Sequence, residues 1–253
     1  MNWEGKLPVL AATAAALVFV SLTPTGAAAV GSELDAFINR TVRMGTYNRT
    51  VRADIKLSRN DGSHDQAVLV VAPEAGGQQF FALRSSGWRS LLPLDWKDGK
   101  AVREKGKKPV AISIDEPLGG TDLRAMELFP FWAFEQGPAF VSDETSSEKT
   151  VTLYVPDGLP YTLFVISFDK ARMVPLSVKY YKDTMNNMVR IRENSDFVMV
   201  GSRLRPRNIL IRDYTQNTTT RLKLDWSVLE EAPPELLAQG SFDRTAIAWP
   251  PAN

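Results

Sequence analysis

The chain has no cysteine and only one histidine, His64, among its 253 residues. Without a thiol it can form no disulfide, redox pair, cysteine nucleophile or Cys-rich zinc site, and no lipid-bearing N-terminal cysteine. A Ser–His–Asp centre would have to use His64. That residue sits in the hydrophilic turn Asp61-Gly62-Ser63-His64-Asp65, and no G-x-S-x-G elbow supplies a serine. The turn also lacks the alternating ligands and closing Glu of a calcium loop. A large surplus of either sign of charge is missing as well. The 30 Lys and Arg against 29 Asp and Glu leave a net +1, which gives no global field for nucleic acid. The carboxylate pairs Asp115-Glu116, Asp143-Glu144 and Glu230-Glu231 are adjacent in sequence. On a strand such neighbours point to opposite faces, so none forms a local acid–base dyad. No catalytic residue, metal or cofactor is expected, and an exported hydrolase is the least favoured reading.

What is present fits a single globular domain, with 44% apolar and 23% charged residues. Residues 1–29 read as an export signal. Lys6 gives the basic start, Leu7 to Leu22 the apolar run, and Ala27-Ala28-Ala29 the small residues of a cleavage site. The run is about sixteen residues, short of the roughly twenty that span a bilayer. Cleavage near Ala29 would leave residues 30–253 as one exported, periplasmic domain.

Ser32 to Met44 is expected to be helical. Ser32 can cap it, and Leu34, Phe37, Ile38 and Val42 fall on one face. Strands follow. Val51, Ala53, Ile55 and Leu57 alternate with Arg52, Asp54, Lys56 and Ser58, the signature of a half-buried antiparallel strand. Further strands are expected at 67–72, 79–84, 88–94, 150–155, 161–168, 176–181, 188–192, 197–200, 208–214 and 220–228. Their short Gly/Asp/Asn turns predict an antiparallel meander.

Between the halves, Gly119-Gly120-Thr121-Asp122 leads into a short helix over 123–129. Phe131, Trp132, Phe134 and Phe140 follow. Aromatics this dense in a connection either seal the end of a barrel or line a cavity for an apolar guest. The cluster Lys97, Lys100, Arg103, Lys105, Lys107 and Lys108 resembles a phosphate loop only superficially. Ala101 stands where the first Gly is required, and Lys108 where a Ser or Thr is required. It reads as a solvated hairpin. With Arg203 and Arg205 of a second basic knot, Lys105, Lys107 and Lys108 are candidates for contact with a partner or anionic headgroups.

The second half resembles the LolA-like outer-membrane lipoprotein-sorting proteins. The residues that carry this are Tyr161 to Lys170, then Val174-Pro175-Leu176-Ser177-Val178-Lys179-Tyr180-Tyr181-Lys182-Asp183, Gly201 to Asp213 with Pro206, and Leu222 to Val228 followed by Pro233-Pro234-Glu235 and Gly240-Ser241-Phe242. The resemblance covers roughly residues 115–245. It implies a mainly β (α+β) fold: an antiparallel unclosed β-barrel whose concave face is covered by an N-terminal helix and loop helices. It also implies a periplasmic carrier that shelters acyl chains of a lipid or lipoprotein, receives them from an inner-membrane transporter, touches membranes transiently and passes cargo toward the outer membrane. Met126, Phe129, Phe131 and Trp132 would form the lid, and Leu163, Val165, Leu224 and Trp226 the wall. Thr121-Asp122-Leu123 stands where relatives carry Ser-Asp-Phe. The same fold also serves as a lipid- or lipoprotein-sensing module in envelope regulation.

Overall fold

The computed structural model describes residues 25–73, 79–85, 88–93, 101–105, 108–112, 117, 122–124, 127, 138–155 and 161–230; for residues 25–32 and 79–112 only the backbone is described. Among the described residues one long helix, α1 (Thr25–Gly45), precedes thirteen strands. Six follow it: β1 (Val51–Arg59), β2 (His64–Pro73), β3 (Gln79–Ser85), β4 (Trp88–Pro93), β5 (Ala101–Lys105) and β6 (Lys108–Ile112). After a connector come β7 (Ala139–Glu144), β8 (Glu148–Tyr154), β9 (Leu163–Asp169), β10 (Val174–Tyr181), β11 (Met188–Val200), β12 (Arg203–Asp213) and β13 (Thr218–Val228).

All thirteen lie in one unclosed sheet, ordered β6-β5-β4-β3-β2-β1-β13-β12-β11-β10-β9-β8-β7. Every pairing is antiparallel. The first six strands meander away from β1, and the last seven meander back until β13 pairs with it, Val51 opposite Val228 and Leu57 opposite Leu222. The connector between β6 and β7 therefore joins the two opposite edges.

One face is apolar and covered; we term it the inner face. Register places Ile55, Leu224, Ala67, Ile209 and Leu222 on it, packed with Leu123 of the connector. The same face continues through Phe164, Ile166, Phe168, Val178 and Tyr180, where Leu34 and Phe37 of α1 rest. The expected helical stripe does the covering. Leu34 and Phe37 are buried, with Ile38 and Val42 against the same cluster. Phe37 meets Phe168 edge-on at 5.5 Å between centroids, and the ammonium of Lys149 lies 5.2 Å from the Phe37 ring. Offset aromatic geometry of this kind stabilises beyond the area buried. At the β1–β2 turn, Gly62 adopts φ 82°, a left-handed conformation that favours glycine.

The mainly β architecture agrees with the pattern of the sequence, with three differences. The helix begins at Thr25, so Ser32 lies inside it and does not cap it; Ala27, Ala28 and Ala29 are strong helix formers that extend the run. The segments expected as separate strands at 188–192 and 197–200 are one continuous strand, β11. The basic stretch is a hairpin, as expected, with β5 paired to β6 from Ala101–Ile112 to Lys105–Lys108. Phe140, grouped with the connector by sequence, stands on edge strand β7, where it is 41% exposed and packs against Tyr154. The export signal falls mostly on residues 1–24, which lie outside the described residues, and the connector helix expected at 123–129 is described only at Glu127, which is helical. No helix among the described residues is long and apolar enough to cross a membrane. Phe37→Ala is expected to cost about 3–5 kcal/mol of stability, read as a lowered urea midpoint with far-UV dichroism retained.

Candidate functional site: the inner face and its connector

Strand β11 turns Arg190, Arg192 and Asn194 to the inner face, opposite Asp213, Ile211 and Ile209 of β12. This polar row separates the two apolar clusters of that face. The connector is fastened to it. Glu127, which has no exposure, accepts from Arg190 Nε at 2.6 Å, and its backbone carbonyl accepts from Arg192. Arg190 also donates to Asp213 at 2.8 Å and to the Asp122 carbonyl at 2.5 Å. Arg124 donates to Asp213 at 2.7 Å and to the Tyr161 hydroxyl at 2.8 Å. Asp122 accepts from Arg59 of β1 at 2.8 Å and from the hydroxyl of Thr220. Within the connector, the backbone N–H of Arg124 donates to Glu127 Oε2 at 2.9 Å, and a β-bridge links Pro117 to Arg124. Asp122 to Glu127 thereby reach β1, β11, β12, β13 and Tyr161 just ahead of β9.

The ions hold one another's charge states. Burial disfavours the Arg190 cation, but the charge and hydrogen bond of Glu127 outweigh it and raise its pKa above the ordinary value. Burial pushes the Asp213 carboxyl up, yet hydrogen bonds from Thr215 and Gln216, with the cations of Arg190 and Arg124, bring it below its ordinary value. The Tyr180 hydroxyl beside them is pushed well up, first by burial and then by the charge of Glu127. It finds no hydrogen-bond partner among the described residues. A buried pair of this kind adds little over an apolar pair of equal volume, but removing one member leaves an uncompensated charge.

A second arginine serves the end of α1. Arg205 donates to the carbonyls of Met44 and Thr46 at 3.0 and 2.6 Å, and its guanidinium lies 4.0 Å from the Tyr47 centroid. A cation here meets the orphan carbonyls and the negative end of the helix dipole. Arg203 points to the Met44 sulfur at 3.0 Å. Both residues, expected to meet a partner or headgroup, face the helix terminus, and Arg205 is only 5% exposed. A crevice of about 50 Å³ lies beside them, between Met44, Tyr47, Pro175 and Arg192.

Of the wall residues, Leu224 and Trp226 lie on the inner face. The Trp226 indole donates to the Pro206 carbonyl at 2.9 Å, and its ring packs with Tyr47. Leu163 and Val165 face the other way, because Tyr181 and Lys179 oppose them and Phe164 takes the inner position. The structure does not bring these two pairs together. Lid residues Met126, Phe129, Phe131 and Trp132 lie outside the described residues, as does Lys107. Lys105 and Lys108 oppose each other at the tip of the β5–β6 hairpin. Sequence reading missed Asp122, Arg124, Glu127, Arg190, Arg192 and Asp213. The available signal was the charge density of Asp122-Leu123-Arg124-Ala125-Met126-Glu127 within an otherwise apolar connection.

Glu127→Gln is expected to destabilise the fold by about 3–5 kcal/mol, since Arg190 stays buried without its anion; equilibrium urea unfolding checks this. Asp213 has a depressed folded pKa, so its contribution is complete above the unfolded value of about 3.9 and is lost as pH falls through the folded value. Asp213→Asn should lower the urea midpoint at neutral pH and flatten its dependence below about pH 4.

No protein-family model and no curated protein matches the chain. Solved structures do. A protein domain assigned to outer membrane lipoprotein sorting from Vibrio parahaemolyticus is 13% identical with a TM-score of 0.68, covering 82% of this chain and 97% of its own. A DUF1329 family protein from Desulfovibrio piger is 10% identical with a TM-score of 0.69, covering 82% and 98%. A LolA superfamily protein from Nitrosomonas europaea is 12% identical with a TM-score of 0.55, covering 81% and 97%. At such identities the likeness is one of backbone architecture. The chain has a LolA-like fold.

Proposed function

We propose that this chain is an exported carrier that shelters the acyl chains of a lipid or lipoprotein in the periplasm and performs no chemistry of its own. The observation behind this reading is how the inner face is covered. A broad apolar sheet face is covered by one helix and a connector, not by a second sheet, and the connector is held across that face by ion pairs. Apolar contacts exchange readily for those of an acyl chain. The buried charges must keep their partners, so they set where the connector returns after cargo leaves. The LolA-like fold supports the reading, as does a relative whose description refers to lipoprotein sorting.

Burying roughly ten methylenes is worth about 8 kcal/mol against water, near micromolar affinity. A chain leaving a bilayer already has that burial, so the carrier's cavity has only to match the membrane. Small changes in connector packing then decide loading or release. Met126, Phe129, Phe131 and Trp132 are the proposed lid, with Leu224 and Trp226 the proposed wall. The donor is proposed to be an inner-membrane transporter.

Native mass spectrometry and lipid extraction of the purified protein, with titration of a fluorescent fatty acid, test the proposal. Copurifying lipid and a Kd near the micromolar range are expected. Trp132→Ala is expected to weaken fatty-acid binding about fivefold or more with little change in melting temperature, the signature of a lid and not of a core residue. Absence of both lipid and fatty-acid binding would remove the physical basis of the carrier reading.

A further inference from the structure

A cavity of about 1020 Å³ lies on the face opposite α1. It is a groove of mixed polar and apolar lining that runs across β2, β1, β13, β12, β11, β10, β9 and β8. Two features set it apart from an ordinary solvated sheet. Lys56 and Lys223 stand directly opposite each other on β1 and β13, and like charges in that position repel. Arg221, two residues from Lys223, faces Ser58 in the adjacent row. None of these three cations has an ion-pair or hydrogen-bond partner among the described residues. The neighbouring carboxylates are largely committed elsewhere. Asp54 is held by Arg52 at 2.6 Å and Glu193 by Arg212 at 2.5 Å. Asp225 lies in the row beyond Lys223, and Glu148 lines the far side of the groove.

We infer that this groove binds an extended acidic peptide segment of a partner protein, its carboxylates on Lys56, Lys223 and Arg221. Eight strands at about 4.8 Å give a track of about 34 Å across the sheet, room for roughly ten extended residues. Lys56 and Lys223 stand on adjacent strands at the β1–β13 part of that track, and Arg221 is one same-face step, about 6.7 Å, along β13 to its side. The three cations therefore bracket the carboxylates of one stretch of the peptide. Along it Ser177 and Ser167 are directly paired, and their hydroxyls can bond peptide groups. A bound anion would relieve the Lys56–Lys223 repulsion. The groove is on the face away from the proposed acyl site, so the inference stands apart from the carrier reading.

Anisotropy of a fluorescein-labelled decapeptide alternating Glu and Ser, titrated with the full chain at low salt, tests this. Binding is expected to fall at least tenfold in Lys56→Gln/Arg221→Gln/Lys223→Gln, and to weaken as NaCl rises from about 20 to about 300 mM. All three side chains are exposed, so an unchanged melting temperature is expected. If the triple variant does not fold, Arg221→Gln alone should still weaken binding about threefold. Lys56→Glu/Lys223→Glu should shift preference toward an alternating Lys–Ser peptide, leaving fatty-acid binding as in the wild type. Equal binding by wild type and triple variant would overturn the inference. So would a response confined to inorganic phosphate or to vesicles of anionic phospholipid.

Discussion

Glu127 and Arg190 form an ion pair with almost no exposure, and the inner face is arranged around it. A lone charge at that depth is untenable, since desolvation costs several kcal/mol per ion even after relaxation. Once Arg190 occupies the inner row of β11, an anion must come to it. Asp213 on β12 supplies part of that charge, and Glu127 supplies the rest from a connector that belongs to neither strand. The pair therefore fixes a loop to a sheet in one place. Arg192, Arg124 and Asp122 then find partners at positions the first contact has set.

The same interaction explains why the inner face is two apolar regions and not one. The β1–β2–β12–β13 cluster takes Leu123 from the connector, while the β8–β10 cluster takes Leu34 and Phe37 from the helix. Between them runs the polar row of β11. Each cover has its own electrostatic anchor: the helix ends on Arg205, and the connector on Arg190 and Arg192. The two covers are therefore anchored to the sheet independently of each other.

Much of this is legible in the sequence, for a definable reason. Val51 to Leu57 and Leu222 to Val228 carry a period-two pattern that depends only on which residues share a face. Leu34, Phe37, Ile38 and Val42 likewise report a helical stripe. Periodicity does not say which face is buried. In Val189-Arg190-Ile191-Arg192 the isoleucine reads as core and the arginines as surface, yet the arginines stand on the covered face. The pairing of β1 with β13 left no local mark either, because its partners are far apart in the chain. At Leu163 and Val165 both faces of β9 are apolar, so pattern alone could not choose Phe164 and Ile166 for the inner side.

The junction of β1 with β13 bears on how such a chain reaches its final form. Each half is a meander of neighbouring strands, so most contacts are local and form without long loop closure. Among the described residues the two halves of the sheet pair through β13, the last of the thirteen strands along the chain. Before it docks, the described sheet has four unpaired strand edges, at β1, β6, β7 and β13; afterwards it has two. Unpaired edges invite pairing with other chains. The interval between emergence of β1 and arrival of β13 is therefore the period of greatest exposure to misassembly, and its length is set by the rate at which the chain emerges.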